Sequence, residues 1–233
     1  MISFKCRHFQ KQIILKAVRW YVAYSLSYRD IEELMQERGI NVDHSTINRW
    51  VIKYAPQLEF EFRKQHKKQV GSSWRMDETY VKIKGKWCYL YRAVDKSGAT
   101  IDFYLSEKRD KKAAKFFFEK AISSNGLPEK VTIDKSGSNK SALRSLNLIL
   151  IFLSVLCGKI LTILVRDIKY LNNMVEQDHR FIKRIIKPMK GFKAFNSAKA
   201  TIAGIELHHM LRKGQNKNAN HSPVFEQFYA LAG

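Results

Sequence analysis

Acidic side chains are few in this chain. Twenty-one Asp and Glu face 42 Lys and Arg across 233 residues, a formal net charge of +21. Such an excess favours a polyanionic partner, either nucleic acid or an anionic membrane surface. Cysteine is nearly absent: Cys6, Cys88 and Cys157 are an odd number with no CxxC spacing. That excludes a disulfide framework and a structural zinc site, and it indicates a reducing compartment. Internal repeats and low-complexity tracts are missing, and 45% hydrophobic with 12% aromatic content excludes a disordered chain. The opening MISFKCRHFQKQ is charged, unlike a signal peptide. Long apolar runs are limited to one, LNLILIFLSVLCGKILTILV, residues 146 to 165. It approaches the length of a membrane span. Gly158-Lys159 interrupts it and Asn147, Ser154 and Thr162 dilute it, so a buried helix, a turn and a buried strand are expected.

The first third reads as helices. Ile14, Val18, Tyr21 and Val22 recur at helical spacing within residues 8 to 24. SYRDIEELMQERG begins with a capping-box pattern, Ser27 and Asp30, and stops at Gly39. In DHSTINRWVIKYAP, Asp43 or Ser45 can cap a third helix that Pro56 is expected to end. Helix, capped helix, short connection, capped helix is a helix-turn-helix layout. The third helix offers His44, Ser45, Thr46, Asn48, Arg49 and Lys53 to base edges or phosphates, with Ile47, Trp50 and Val51 facing inward. An ordinary three-helix packing unit has the same pattern; the charge favours DNA.

From Trp74 the period changes. WRMDETYVKIKGKWCYLYRAVD reads as a hairpin turning at Lys84-Gly85, and TIDFYLS as a third strand. A helix ending at Gly126, a short strand ending at Asp134, a helix from NKSALRSLN, a strand within Ile160 to Arg166, and an amphipathic helix up to Pro188 follow. A last helix ends at Gly214. This is an α/β order with a mixed sheet. The expected division is a helix-turn-helix domain over 1–58, a basic linker over 59–73, an α/β catalytic domain over 74–195, and a C-terminal helix and tail over 196–233.

An acid inside an apolar, aromatic strand costs free energy unless a cation accompanies it. Asp77 and Glu78 stand in the first strand, and alternation alone does not say which faces a site. Asp134 closes the fourth strand, where α/β sites gather. On a helical wheel Glu176, His179, Arg180, Lys183 and Lys187 share one face, opposite Val175, Phe181, Ile182, Ile185 and Ile186. If Asp77, Asp134 and Glu176 converge, their hard oxygens suit Mg²⁺ or Mn²⁺, and two such ions serve phosphodiester chemistry. The basic stripe, with Arg184, would hold a DNA backbone by charge. With 21 acids, a triad can also be aligned by chance. Elsewhere, His208-His209 read as surface or packing residues, and Phe116-Phe117-Phe118, Cys88, Trp50, Trp74 and Trp87 as packing residues, the Phe run leaving room for one exposed ring.

WRMDETYVKIKGKWCYLYRAVD, TIDFYLSEKRDKKAA, TIDKSGSNKSAL and IKYLNNMVEQDHRFIKRIIKPMKGF, in that order, resemble the catalytic region of bacterial insertion-sequence DDE transposases of the IS-six family. The start, FKCRHFQKQIILKAVRWYVAYSLSYRDIEELMQERGINVDHSTINRWV, resembles that family's DNA-binding region. The resemblance implies a ribonuclease-H-like catalytic fold, with Asp77, Asp134 and Glu176 as the metal-binding triad and Lys183 as the family's basic residue beside it. It implies Mg²⁺ or Mn²⁺, double-stranded DNA at element ends and target, and a homo-oligomer in the bacterial cytoplasm, associated with the nucleoid. Neither a membrane nor a small-molecule substrate is implied. One feature departs from the family pattern: 41 residues separate Asp134 from Glu176, several more than usual, and the excess falls in the greasy run. The alternative function is therefore a DNA-binding remnant with a dead catalytic domain.

Overall fold

The computed structural model describes residues 2–4, 8–134, 137–168 and 172–233. Cys6 and the residues Lys135, Ser136 and Lys169–Leu171 of the quoted blocks lie outside them. Two compact units emerge. One comprises the described residues up to Lys68 together with Phe181–Gly233; the other is Gln69–Arg180.

In the first unit, α1 (Lys11–Ala23), α2 (Tyr28–Gln36) and α3 (His44–Glu61) follow the sequence reading. The Ser27–Asp30 capping box forms in both directions. Asp43, not Ser45, caps α3 by accepting from the Ser45 backbone N–H at 2.8 Å. Pro56 does not end α3: the helix continues through it to Glu61 and on into a π-turn at Phe62–His66. Proline removes one rung of the helix ladder, but Tyr54, Ala55, Leu58 and Phe62 are all buried around it, and that burial holds the helix through the gap. The expected linker over 59–73 is thus helical for its first half.

The remaining helices of this unit are α7 (Phe195–Arg212) and α8 (Val224–Ala230), the latter unforeseen in the tail. α7 packs on α1 and α3, which is why Phe181–Gly233 joins the N-terminal helices instead of forming a separate C-terminal piece. Contact is close at Gly204: a Cβ there would lie 2.6 Å from Val22 and 2.9 Å from Ala55. His208 and His209 are buried, and Phe181 stacks on His209 at 4.1 Å.

The second unit is a five-stranded sheet in the order β3-β2-β1-β4-β5. β1 (Ser73–Ile83), β2 (Lys86–Asp95) and β3 (Thr100–Ser106) are antiparallel; β4 (Lys130–Ile133) and β5 (Leu164–Asp167) are parallel to β1. This is the ribonuclease-H-like order. The β1–β2 turn places Lys84 and Gly85 at positive φ, as a two-residue hairpin with right-handed strand twist requires. α4 (Lys111–Asn125) and α5 (Gly137–Cys157) cover the sheet, and α6 (Asn173–Ile186) follows β5. Trp74, Phe117 and Phe118 are core, and Phe116 is the exposed ring of its run. Trp87 differs from expectation: it is exposed at the hairpin end, where it meets Tyr80 edge-on.

The largest departure lies in α5. Asn139, Ala142, Leu143 and Leu146 are buried, but Leu148, Phe152, Val155 and Leu156 are exposed, and so is Ile160 beyond the helix. The sheet and α4 cover only the helix's first turns, so a run expected to be buried presents its outer half to the surroundings. Among the described residues α5 is the one helix long and apolar enough to cross a membrane.

Candidate active site

Strand β1 carries Asp77 and Glu78 side by side, and β4 ends immediately before Asp134. Parallel pairing of β1 with β4 brings these acids together. Carboxylate oxygens of Asp77, Glu78 and Asp134 lie within 4.8 Å of one another. Burial first, and then the negative charges of Glu78, Asp134 and Glu176, push Asp77 up to about 7. Glu176, exposed near the start of α6, is not part of that cluster; its charge adds the smallest of the three pushes on Asp77. Asp77 and Asp134 offer adjacent hard carboxylate oxygens, a donor chemistry that fits a divalent cation.

Glu78 is spoken for by protein donors. Its Oε1 accepts from Asn139 Nδ2 at 3.0 Å, and its Oε2 meets Arg109 Nη2 at 3.4 Å. Burial raises its pKa while Arg109 and Asn139 oppose that rise. The same guanidinium nitrogen is 3.6 Å from Asp134 Oδ2. Strand alternation left the choice between the two neighbours open; the contacts separate them, Glu78 holding the arginine and Asp77 facing the other acids.

Sequence reasoning missed how α6 is fastened. Arg92 sits directly across from Asp77 in the β1–β2 register and is fully buried. Its Nη2 meets Asp178 Oδ2 on α6 at 2.7 Å. Asn172, just before α6, donates to the Met76 carbonyl at 3.3 Å. The Asn172 bond ties the helix start to β1, which bears Asp77, and the Arg92 pair ties it to β2 alongside. The signal was an arginine inside an apolar strand, the cationic counterpart of the Asp77 anomaly. His179 does not join the exposed stripe expected of it: it is 2% exposed, because α6 turns that edge inward. Arg180, Lys183, Arg184 and Lys187 are exposed.

In the first unit, His44 Nδ1 contacts Glu32 at 3.1 Å and Asp43 at 3.3 Å. The Ser45 hydroxyl bonds Asp43, and Arg49 donates to Thr46 Oγ1 at 2.8 Å. Arg49 and Lys53 are exposed, with Lys53 over the Tyr54 ring. Asn48 is half-buried, with its amide oxygen enclosed. His44, Ser45 and Asn48 line a cavity of about 660 Å³ together with Tyr28, Phe192 and Lys193.

A protein-family model described as a DDE domain matches residues 71–215, and one described as the IS66 transposase family matches residues 8–127. The chain is 42% identical over 218 residues to the transposase for insertion sequence-like element IS431mec of Staphylococcus aureus (strain N315), covering 94% of this chain and 92% of that protein. Identity and coverage are the same for the transposase for insertion sequence element IS257 in transposon Tn4003, also of Staphylococcus aureus. Among solved structures, the trimeric form of the HTLV-2 integrase catalytic core domain in complex with magnesium is similar at 17% identity. That match has a TM-score of 0.37 and covers 70% of this chain and 84% of the integrase chain.

Proposed function

The chain belongs to the DDE transposases of bacterial insertion sequences, within the IS-six family, and from that premise we propose that it binds the terminal inverted repeats of its element, cuts the DNA strand there and joins the freed 3′-OH to target DNA. The observation that carries this reading is the cluster of Asp77, Glu78 and Asp134, whose carboxylate oxygens lie within 4.8 Å of one another where β1 and β4 run side by side. Asp77, Asp134 and Glu176 would hold Mg²⁺ or Mn²⁺, two ions in the full site, which when bound supply activation of the attacking oxygen and stabilisation of the leaving one.

The chain's own side chains do the rest. The Arg92–Asp178 pair and the Asn172 bond keep the start of α6, and hence Glu176, beside β1. Such buried pairs fix geometry, and a loose triad loses rate steeply. Lys183, seven residues after Glu176 on α6, extends with Arg180, Arg184 and Lys187 a basic surface that takes the DNA backbone. In the first unit the capped start of α3 brings Ser45, Thr46, Asn48, Arg49 and Lys53 towards bases and phosphates, with His44 beside them. Two DNA ends must be held at once, so the working form is a homo-oligomer, acting on the nucleoid in the bacterial cytoplasm.

The test is strand transfer by the purified protein on DNA carrying the element's ends, with Mg²⁺, beside a Glu176→Gln control. Joined product that vanishes in the control is the expected result. End binding without joining, equal in both proteins, would instead identify a DNA-binding remnant, the reading favoured by the greasy run between Asp134 and Glu176.

A further inference from the structure

Three carboxylates, those of Asp77, Glu78 and Asp134, gather with their oxygens within 4.8 Å of one another, and the Arg109 guanidinium touches two of them. Arg109 lies in the loop between β3 and α4, between Glu107 and Asp110 in sequence. Its two acidic contacts differ. Glu78 is 3% exposed, and both its oxygens are engaged, one by Asn139 and one by Arg109. Asp134 is 35% exposed, and its 3.6 Å separation from Arg109 is longer than a hydrogen bond. Arg109 itself is 36% exposed, so part of its planar fork faces outward from the acids. Glu78 thus anchors the arginine, and the looser Asp134 contact is the one that a cation on Asp134 would replace.

We propose that Arg109 is a catalytic residue that binds a non-bridging oxygen of the reacting DNA phosphate, and that Glu78 is a positioning residue that aims it. This rests on the transposase reading above. The local charge supports it: acids outnumber the guanidinium that touches them, so bound divalent cations would be balanced there by a phosphodiester lying against Arg109. The chemistry supports it too. A guanidinium holds a carboxylate with one edge while its other N–H groups meet phosphate oxygens, which a lysine ammonium does not reproduce. Glu78 is thereby excluded as a metal ligand although it lies in the same cluster as Asp77.

The experiment is a cycle of one protein change against one DNA change, read by binding in Ca²⁺ so that no turnover is needed. Element-end duplexes carry either the ordinary phosphodiester or a neutral methylphosphonate at each position around the 3′ end of the element. For the unaltered protein, one methylphosphonate position should weaken binding roughly 10- to 100-fold, the range of a charge-assisted hydrogen bond. Arg109→Ala should show that loss on ordinary DNA and no further loss at that position; Arg109→Lys should recover only part of it. Glu78→Gln should shrink the same discrimination with Arg109 in place. Equal losses by Arg109→Ala on both duplexes would overturn the proposal, as would Glu78→Gln that leaves the discrimination intact. Arg109→Ala strips the nearly buried Glu78 of a cation, so melting is measured beside binding, and Arg109→Lys, which keeps a cation there, must also shrink the discrimination. Binding of element ends no tighter than scrambled DNA would overturn the transposase reading itself; end-specific binding with additive losses sinks the role of Arg109 alone.

Discussion

The two compact units hold the charged side chains singled out for function in different surroundings. In the helical unit, Arg49, Lys53, Lys183, Arg184 and Lys187 are exposed, and Asp43 and Glu32 are met at the rim by His44. In the sheet unit, Arg92 is fully buried and Asp77 is driven up to about 7 by its surroundings. A surface charge is weakly coupled to its neighbours and suits reading a polyanion; a buried charge is strongly coupled and suits chemistry. The difference teaches that the units should be separable by lesion, each losing one activity while the other survives.

The largest expected separation comes from Asp77→Asn. It should lower strand transfer by roughly a thousandfold or more while end binding, measured by gel shift, changes less than about twofold. Loss of both would break the comparison. Proton linkage at the same residue gives the second effect. Because the folded pKa of Asp77 lies above its ordinary value, its contribution to stability is present at low pH and is lost as pH rises from about 4 to about 7. The metal-free melting temperature should therefore fall over that range relative to Asp77→Asn, and apparent Mn²⁺ affinity should climb about tenfold per pH unit and level off near pH 7. A flat calorimetric profile would remove Asp77 as the coupled site.

A smaller effect targets the helical unit. Gly204→Ala forces a Cβ against Val22 and Ala55, and should cost about 1–3 kcal/mol in denaturant unfolding, with end binding lost first as temperature rises. The smallest is Val155→Ser on the exposed part of α5, expected to change stability by no more than about 0.5 kcal/mol while reducing aggregation at high concentration. A loss of several kcal/mol would mean that this surface is covered after all.

What was legible in the sequence was local. The Ser27–Asp30 box, the Lys84-Gly85 turn and the alternation of strands and helices each depend on a few neighbouring residues, and they stand as read. What failed depended on distant partners. Pro56 sits inside a helix because residues far along the chain bury its flanks. His179 and Trp87 exchanged expected surroundings for the same reason. Two helices make the point together. α7 carries Glu206, His208 and His209 yet is buried around nearly its whole circumference; α5 is far greasier yet exposes its outer half. Composition states what a surface prefers, and only the fold supplies a neighbour. At the site, Asp77, Asp134 and Glu176 were candidates from the residues and the family pattern, whereas the partners of Arg92 and Arg109 came only with the fold.

The dependence of α1 and α3 on α7 also has a consequence in time. A ribosome adding roughly 5–20 residues per second needs on the order of ten seconds to travel from the end of α3 to α7. Throughout that interval Val22 and Ala55 lack the helix that covers them, while the whole sheet has already been synthesised. The sheet is complete in the nascent chain before the helical unit is, and a message broken before α7 yields a protein with a sheet and no finished helical unit.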